Sequence, residues 1–125
     1  METWEPELRD RLLRFQFQAQ RQGYREQFPA ADERLILGED APTGWVIVDR
    51  SGPEVRCVDI AVVPEKRGLG IGTRVLRGLQ EEAAASGRPL VLAVLRTNIR
   101  AFALYRRLGF RVKSETDLHA LMEWP

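Results

Sequence analysis

The stretch IAVVPEKRGLGIGTRVL, residues 60–76, decides how the rest of the chain is read. A β-branched run stops at Pro64, three glycines alternate at Gly68, Gly70 and Gly72, and a leucine-rich helical pattern follows. Glycines between a strand and a helix leave backbone N–H groups free to close around an anion, because no Cβ keeps its oxygens away. Two common phosphate loops are excluded by spacing. A Walker A loop needs Lys followed by Ser or Thr after its last glycine, whereas Gly72 is followed by Thr73 and Arg74. The dinucleotide fingerprint G-x-G-x-x-G needs a wider third interval than the alternation found here.

Upstream, EPELRDRLLRFQFQAQRQGYREQF reads as a helix, with Leu8, Leu12, Phe15 and Ala19 at spacings of 3 and 4 and Pro6 in its first turn. RLILGE, GWVIVDR and EVRCVDIAVV read as three strands, and the breaks APTG and RSGPE make them an antiparallel meander. From Gly70 a helix places Ile71, Val75, Leu79 and Ala83 on one face as far as SGRP. PLVLAVL is apolar throughout, as expected of a strand buried on both sides. TNIRAFALYRRLGF is a second helix, capped by Thr97 or Asn98 and stopped by Gly109. FRVKSE and HALMEW follow as two more strands. The order is α-β-β-β-α-β-α-β-β, with no linker, and predicts one domain over residues 1–125.

The composition fits a soluble globular protein. Of 125 residues 44% are hydrophobic and 30% charged, enough for a core without disulfides. Cys57 stands alone, which excludes a disulfide framework and a thiolate metal cluster and suits a small buried hydrophobe. No apolar run approaches the roughly 20 residues of a membrane span, and METWEPELRD is too acidic for a signal peptide, so a cytoplasmic protein is expected. The net charge of +1 argues against a general nucleic-acid binder. Its distribution is uneven: residues 1–62 carry 8 basic and 12 acidic side chains, residues 63–125 carry 11 and 6. The glycine loop opens the basic half, where an anionic ligand would be received.

The run from Ala61 to Gly72, Ala-Val-Val-Pro-Glu-Lys-Arg-Gly-Leu-Gly-Ile-Gly, resembles the signature of the GNAT superfamily of acyl-CoA-dependent N-acyltransferases. A second block about 25 residues on, Asn98, Ala101, Tyr105, Gly109 and Phe110, is similar to that family's N-x-x-A-x-x-x-Y-x-x-x-G-F. The resemblance covers roughly residues 34–125; the opening QFQAQRQGYREQFPAADERLIL is similar, less specifically, to an uncharacterised bacterial subgroup with a shortened N-terminus. It implies an α/β fold of the α+β type, a mixed, mostly antiparallel central sheet flanked by helices. It also implies acetyl-CoA as cosubstrate, no metal, and transfer of an acetyl or other short acyl group to a primary amine in a ternary complex. By position, Arg67, Gly68, Leu69, Gly70, Ile71, Gly72 and Thr73 would hold the pyrophosphate. Ile60, Ala61 and Val62 would bond the pantetheine arm, with the Val62 N–H on the acyl oxygen. Asn98 would orient that arm or simply cap its helix, and Tyr105 would give a proton to the departing sulfur.

The general base is less defined. Some relatives carry a glutamate where this chain has Ala93; others carry one on the strand of Arg56 to Val62, where Asp59 is available. Glu123 and His119 are the other candidates. The resemblance also implies a strand ahead of RLILGE, whereas this chain opens in what reads as the following helix. The first strand is thus expected to be absent, with the exposed edge covered in a homodimer. Acceptors would be small-molecule or peptide amines, with no nucleic acid or membrane partner. Two other classes compete: a non-catalytic acyl-CoA-binding or sensing module, and a nucleic-acid-associated domain using Arg96, Arg100, Arg106, Arg107 and Arg111. The last lacks the aromatic interleaving that single-strand binders use.

Overall fold

RSGPE breaks the chain as its chemistry predicts, whereas Pro42, Thr43 and Gly44 of APTG, expected in a break, lie inside a strand; the first three strands pair in chain order. A computed structural model describes residues 26–38 and 41–125. Strands β1 (Asp32–Leu37), β2 (Pro42–Asp49) and β3 (Val55–Val62) form the expected antiparallel meander. A single 3₁₀ turn at Pro64–Lys66 leads through the glycine loop into α1 (Ile71–Ser86). Then come β4 (Leu90–Leu95), α2 (Ile99–Arg107), β5 (Arg111–Glu115) and β6 (His119–Trp124). The six strands make one sheet in the order β1-β2-β3-β4-β6-β5. All neighbours are antiparallel except β3 and β4, which the α1 crossover makes parallel. The sheet is mixed, mostly antiparallel and flanked by helices, as expected. The opening helix with Leu8, Leu12, Phe15 and Ala19, and any strand ahead of it, lie outside the described residues.

Both helices pack on one face of the sheet. Leu76, Leu79 and Ala83 of α1 and Tyr105 of α2 share a core with Val48, Cys57, Leu92, Val94, Ala120 and Met122. Ile47, Val55, Leu76, Leu90, Val91 and Met122 are fully buried, each contributing about 1.5–3 kcal/mol of hydrophobic stabilisation. The buried stripe of α1 runs through Leu76, Leu79, Gln80 and Ala83, one residue round from the expected Val75, which is half-buried. Gln80 is polar in this core because its Nε2 donates to the Leu108 carbonyl at 2.9 Å, tying α1 to the end of α2.

Burial of LVLAVL on both sides needs correcting. Leu90, Val91, Leu92 and Val94 are buried, but Ala93 and Leu95 are exposed. Leu90, Leu92 and Val94 face the core that the helices cover, whereas Ala93 and Leu95 alternate to the other face. The pairing of β3 with β4 joins Val55, Arg56 and Cys57 to Leu90, Val91 and Leu92 and stops there. One glycine is indispensable to the neighbouring pairing. A Cβ on Gly44 would lie 2.0 Å from the Ala61 carbonyl oxygen, so any side chain there would push the end of β3 away.

Candidate functional site

From Val58 onward β3 has no partner on the β4 side, while β4 runs on through Ala93, Val94 and Leu95, which pair with β6. The sheet is therefore split at the carboxyl ends of its two parallel strands. A helix starts just beyond each end, α1 after Gly70 and α2 after Asn98. Such a crevice is where open sheets receive ligands, and helix N-termini lend it positive potential.

The glycine loop leaves open space around its backbone. Gly68 and Gly70 have φ of +81° and +83°, in the left-handed region, and Gly70 is the N-cap of α1. A Cβ at Gly68, Gly70 or Gly72 would meet nothing within 4 Å. The first intrahelical bond runs from the Arg74 N–H to the Gly70 carbonyl at 3.0 Å, which leaves the N–H groups of Ile71, Gly72 and Thr73 as open donors. No acidic residue lies in this first turn. The Arg67 Nε–H donates to the Val62 carbonyl at 3.0 Å and straps the loop to the end of β3. Leu69 stands exposed between the glycines, and Ile60, Ala61 and Val62 are half-buried along the split.

Asn98 caps α2 as its residue type predicts, its Oδ1 accepting from the Ala101 N–H at 3.2 Å. Tyr105, two turns on, is 9% exposed and rests on Phe110, with ring centroids 5.8 Å apart. Among the described residues its hydroxyl has no hydrogen-bond partner. Burial, and then the nearby charges of Cys57 and Asp59, push its pKa up to about 12, so the hydroxyl keeps its proton.

Asp59 owes its position to a bulge. Cys57 opposes Val48 and Asp59 opposes Ile47, so Val58 is an extra residue in β3. Strict alternation would send Asp59 into the helix-covered core with Cys57. The bulge turns it instead to the face of Ile47 and Trp45, where the Trp45 Nε1–H donates to its Oδ2 at 2.7 Å. Burial raises the carboxyl pKa, while bonds from the Trp45 and Ile60 N–H groups pull the other way. Asp59 and Tyr105 thus belong to opposite faces of the sheet and approach through the split.

The other candidates are placed less aptly. Glu123 is engaged by Lys113 at 3.2 Å. His119 is exposed, its backbone N–H and carbonyl closing a turn with Thr116. Cys57 is buried as expected, and burial pushes its pKa up to about 12. Arg96 is tied to the Thr116 carbonyl and Glu115; Arg100, Arg106, Arg107 and Arg111 are exposed. Trp45 and Gly44 had no signal in the sequence, because both owe their importance to strand pairing. A separate pocket of about 440 Å³ lies between β1, β2 and α1, away from the loop. The Arg50 guanidinium crosses it, bonded to Glu82 and to Asp32.

The model of the acetyltransferase (GNAT) family matches residues 2–110. The bovine (Bos taurus) thialysine N-epsilon-acetyltransferase is 40% identical over 67 residues, 53% of this chain and 39% of the relative. The chain thus matches about two-fifths of the length of that curated relative. The Escherichia coli ribosomal-protein-S18-alanine N-acetyltransferase superposes with a TM-score of 0.68 at 25% identity, over 77% of this chain and 69% of that one. A GNAT family acetyltransferase from Elizabethkingia anophelis, solved with acetyl-CoA bound, gives a TM-score of 0.68 at 17% identity over 78% of each chain and attests the fold.

Proposed function

This chain belongs to the GNAT acetyltransferase family, and on that premise we propose that it transfers an acetyl group from acetyl-CoA to a primary amine. The observation that carries this reading is the open glycine cradle at the mouth of the split sheet. Open donors at Ile71, Gly72 and Thr73, vacant Cβ positions at Gly68, Gly70 and Gly72, and no acidic neighbour in the first turn suit a pyrophosphate. Ile60, Ala61 and Val62, unpaired on the β4 side, offer backbone groups to the pantetheine arm, and the Val62 N–H is assigned to the acyl oxygen. Asn98 holds the start of α2 and with it the height of Tyr105.

The residues divide the proton work. A lysine-like amine is neutral in only ~1 molecule in 2,500 at pH 7, so a base has real work to do. The Asp59 carboxylate takes a proton from the acceptor ammonium. The neutral amine then attacks the thioester carbonyl carbon, a C–N bond forms, and on collapse the C–S bond breaks. Tyr105 gives its proton to the departing sulfur and recovers one, through water, from the new amide nitrogen. A hydroxyl held protonated by burial is in the form the donor role needs.

The domain proposed is residues 1–125, cytoplasmic, acting on a small-molecule or peptide amine. A non-catalytic acyl-CoA-binding module is the reading that Ala93 favours, since that position lacks the glutamate of some relatives. Thiol release from acetyl-CoA over a panel of amines, run beside acetyl-CoA calorimetry, separates the two. Binding with no release for any amine would overturn the enzyme and leave the module.

A further inference from the structure

We propose that Trp45 is a positioning residue for this reaction, its indole N–H fixing the Asp59 carboxylate at the wall of the split where the amine arrives. The inference rests on the acetyltransferase reading above and adds to it a residue that no motif contains.

Three observations lead there. The bulge at Val58 takes Asp59 out of the core-facing row and sets it beside Trp45, in the stretch of β3 that β4 no longer covers. The bond itself is short, 2.7 Å from Nε1 to Oδ2, within the range of charge-assisted hydrogen bonds. The indole cannot swing away, because Trp45 is buried with Ile47 against Ala31, Val58 and Ala61. A part-buried carboxylate is costly unless its oxygens are bonded, and among the described residues no Lys or Arg pairs with Asp59. If the pair served packing alone, a neutral side chain at 59 would fill the same space without that cost. Among the described residues, the Asp59 charge raises the pKa of Cys57 on its own strand and of Tyr105 from α2, and both stay protonated. Asp59 is therefore the group that changes charge at this point of the split. An N–H donor favours its charged form and so opposes burial, the larger effect, which raises the carboxyl pKa.

Trp45→Phe keeps an aromatic ring and removes the donor. Replacing the indole by 3-benzothienylalanine keeps both shape and area and removes the N–H alone. Losing a donor to the charged form raises the Asp59 pKa, and a base works when deprotonated. The acidic limb of kcat/KM against pH should therefore move to higher pH by about one unit in both variants. Carboxyl-detected NMR of Asp59 without substrate should show the same upward shift. Rates that fall equally at every pH, with the Asp59 titration unmoved, would overturn the proposal and leave Trp45 a packing residue. That result would come with thiol release still measurable. Absence of release for every amine in the wild-type protein would instead remove the acetyltransferase reading, and this inference with it.

Discussion

Gly70→Asp tests the loop most directly, because the structure supplies a matched control. Gly70 sits at φ +83° with no atom within 4 Å of a built Cβ, so a side chain there is strained but does not clash. A non-glycine residue in the left-handed region costs about 1–2 kcal/mol. For a protein of this size that lowers Tm by roughly 3–8 °C, and the fold should survive. The added carboxylate, however, would stand where the α1 N-terminus offers its open donors. A saturating ligand at about 100 times its Kd stabilises by about 2.7 kcal/mol, so acetyl-CoA should raise the wild-type Tm by a comparable amount and leave Gly70→Asp unmoved. Gly87, the C-cap of α1, has φ +68° and equally open surroundings at the far end of the same helix. Gly87→Ala should lose a similar few degrees and keep the full acetyl-CoA response. Differential scanning fluorimetry with and without acetyl-CoA reads both. An undiminished response in Gly70→Asp, or a lost one in Gly87→Ala, would refute the assignment of the loop.

Tyr105→Phe should lower kcat and kcat/KM together by about 10²–10⁴-fold with acetyl-CoA affinity nearly unchanged, as steady-state thiol release and calorimetry would show. A fully active variant would take the hydroxyl out of the mechanism. Gly44→Ala should destabilise by at least about 1–3 kcal/mol, since its Cβ must displace the Ala61 carbonyl, and should weaken acetyl-CoA binding as β3 shifts. Cys57, with its thiol pushed up to about 12 by burial, should resist a disulfide reagent at pH 8 and react at once in denaturant. The β1 edge, with β2 as its sheet neighbour and Leu35 and Leu37 exposed, is proposed to be covered in a homodimer. A monomer mass by light scattering at high concentration would count against that.

Much of this site could be read from residue chemistry. Glycines at 68 and 70 take the positive φ that only they adopt cheaply, Asn98 caps α2 with its own side chain, and Gly109 stops that helix at φ +97°. Each of these is a local property, set within a few residues. The facts that escaped the sequence are all long-range. An extra residue at Val58 decides which face Asp59 occupies, yet Val58 looks like any other strand valine. LVLAVL is apolar throughout, yet only Leu90, Leu92 and Val94 join the core that the two helices cover. The buried stripe of α1 runs through Leu76, with the expected Val75 half-buried beside it. Gln80 and Arg50 belong to no motif, and only the packed structure reveals what they bond.

The three residue pairs that join β3 to β4 give the sheet a seam. On one side lies a meander of β1, β2 and β3, on the other β4, β6 and β5, and each half is held by antiparallel pairs of its own. Val55 and Leu90 meet across 35 residues of chain, so the seam closes only after the loop entropy of the α1 crossover has been spent. Beneath the helices the two halves share one core, and the seam is the place where their strands join. Asp59 hangs from one half and Tyr105 packs against the other. The distance between the proposed proton donor and the proposed proton acceptor is thus fixed by no single strand or helix, and depends on how two small sheets lean on each other.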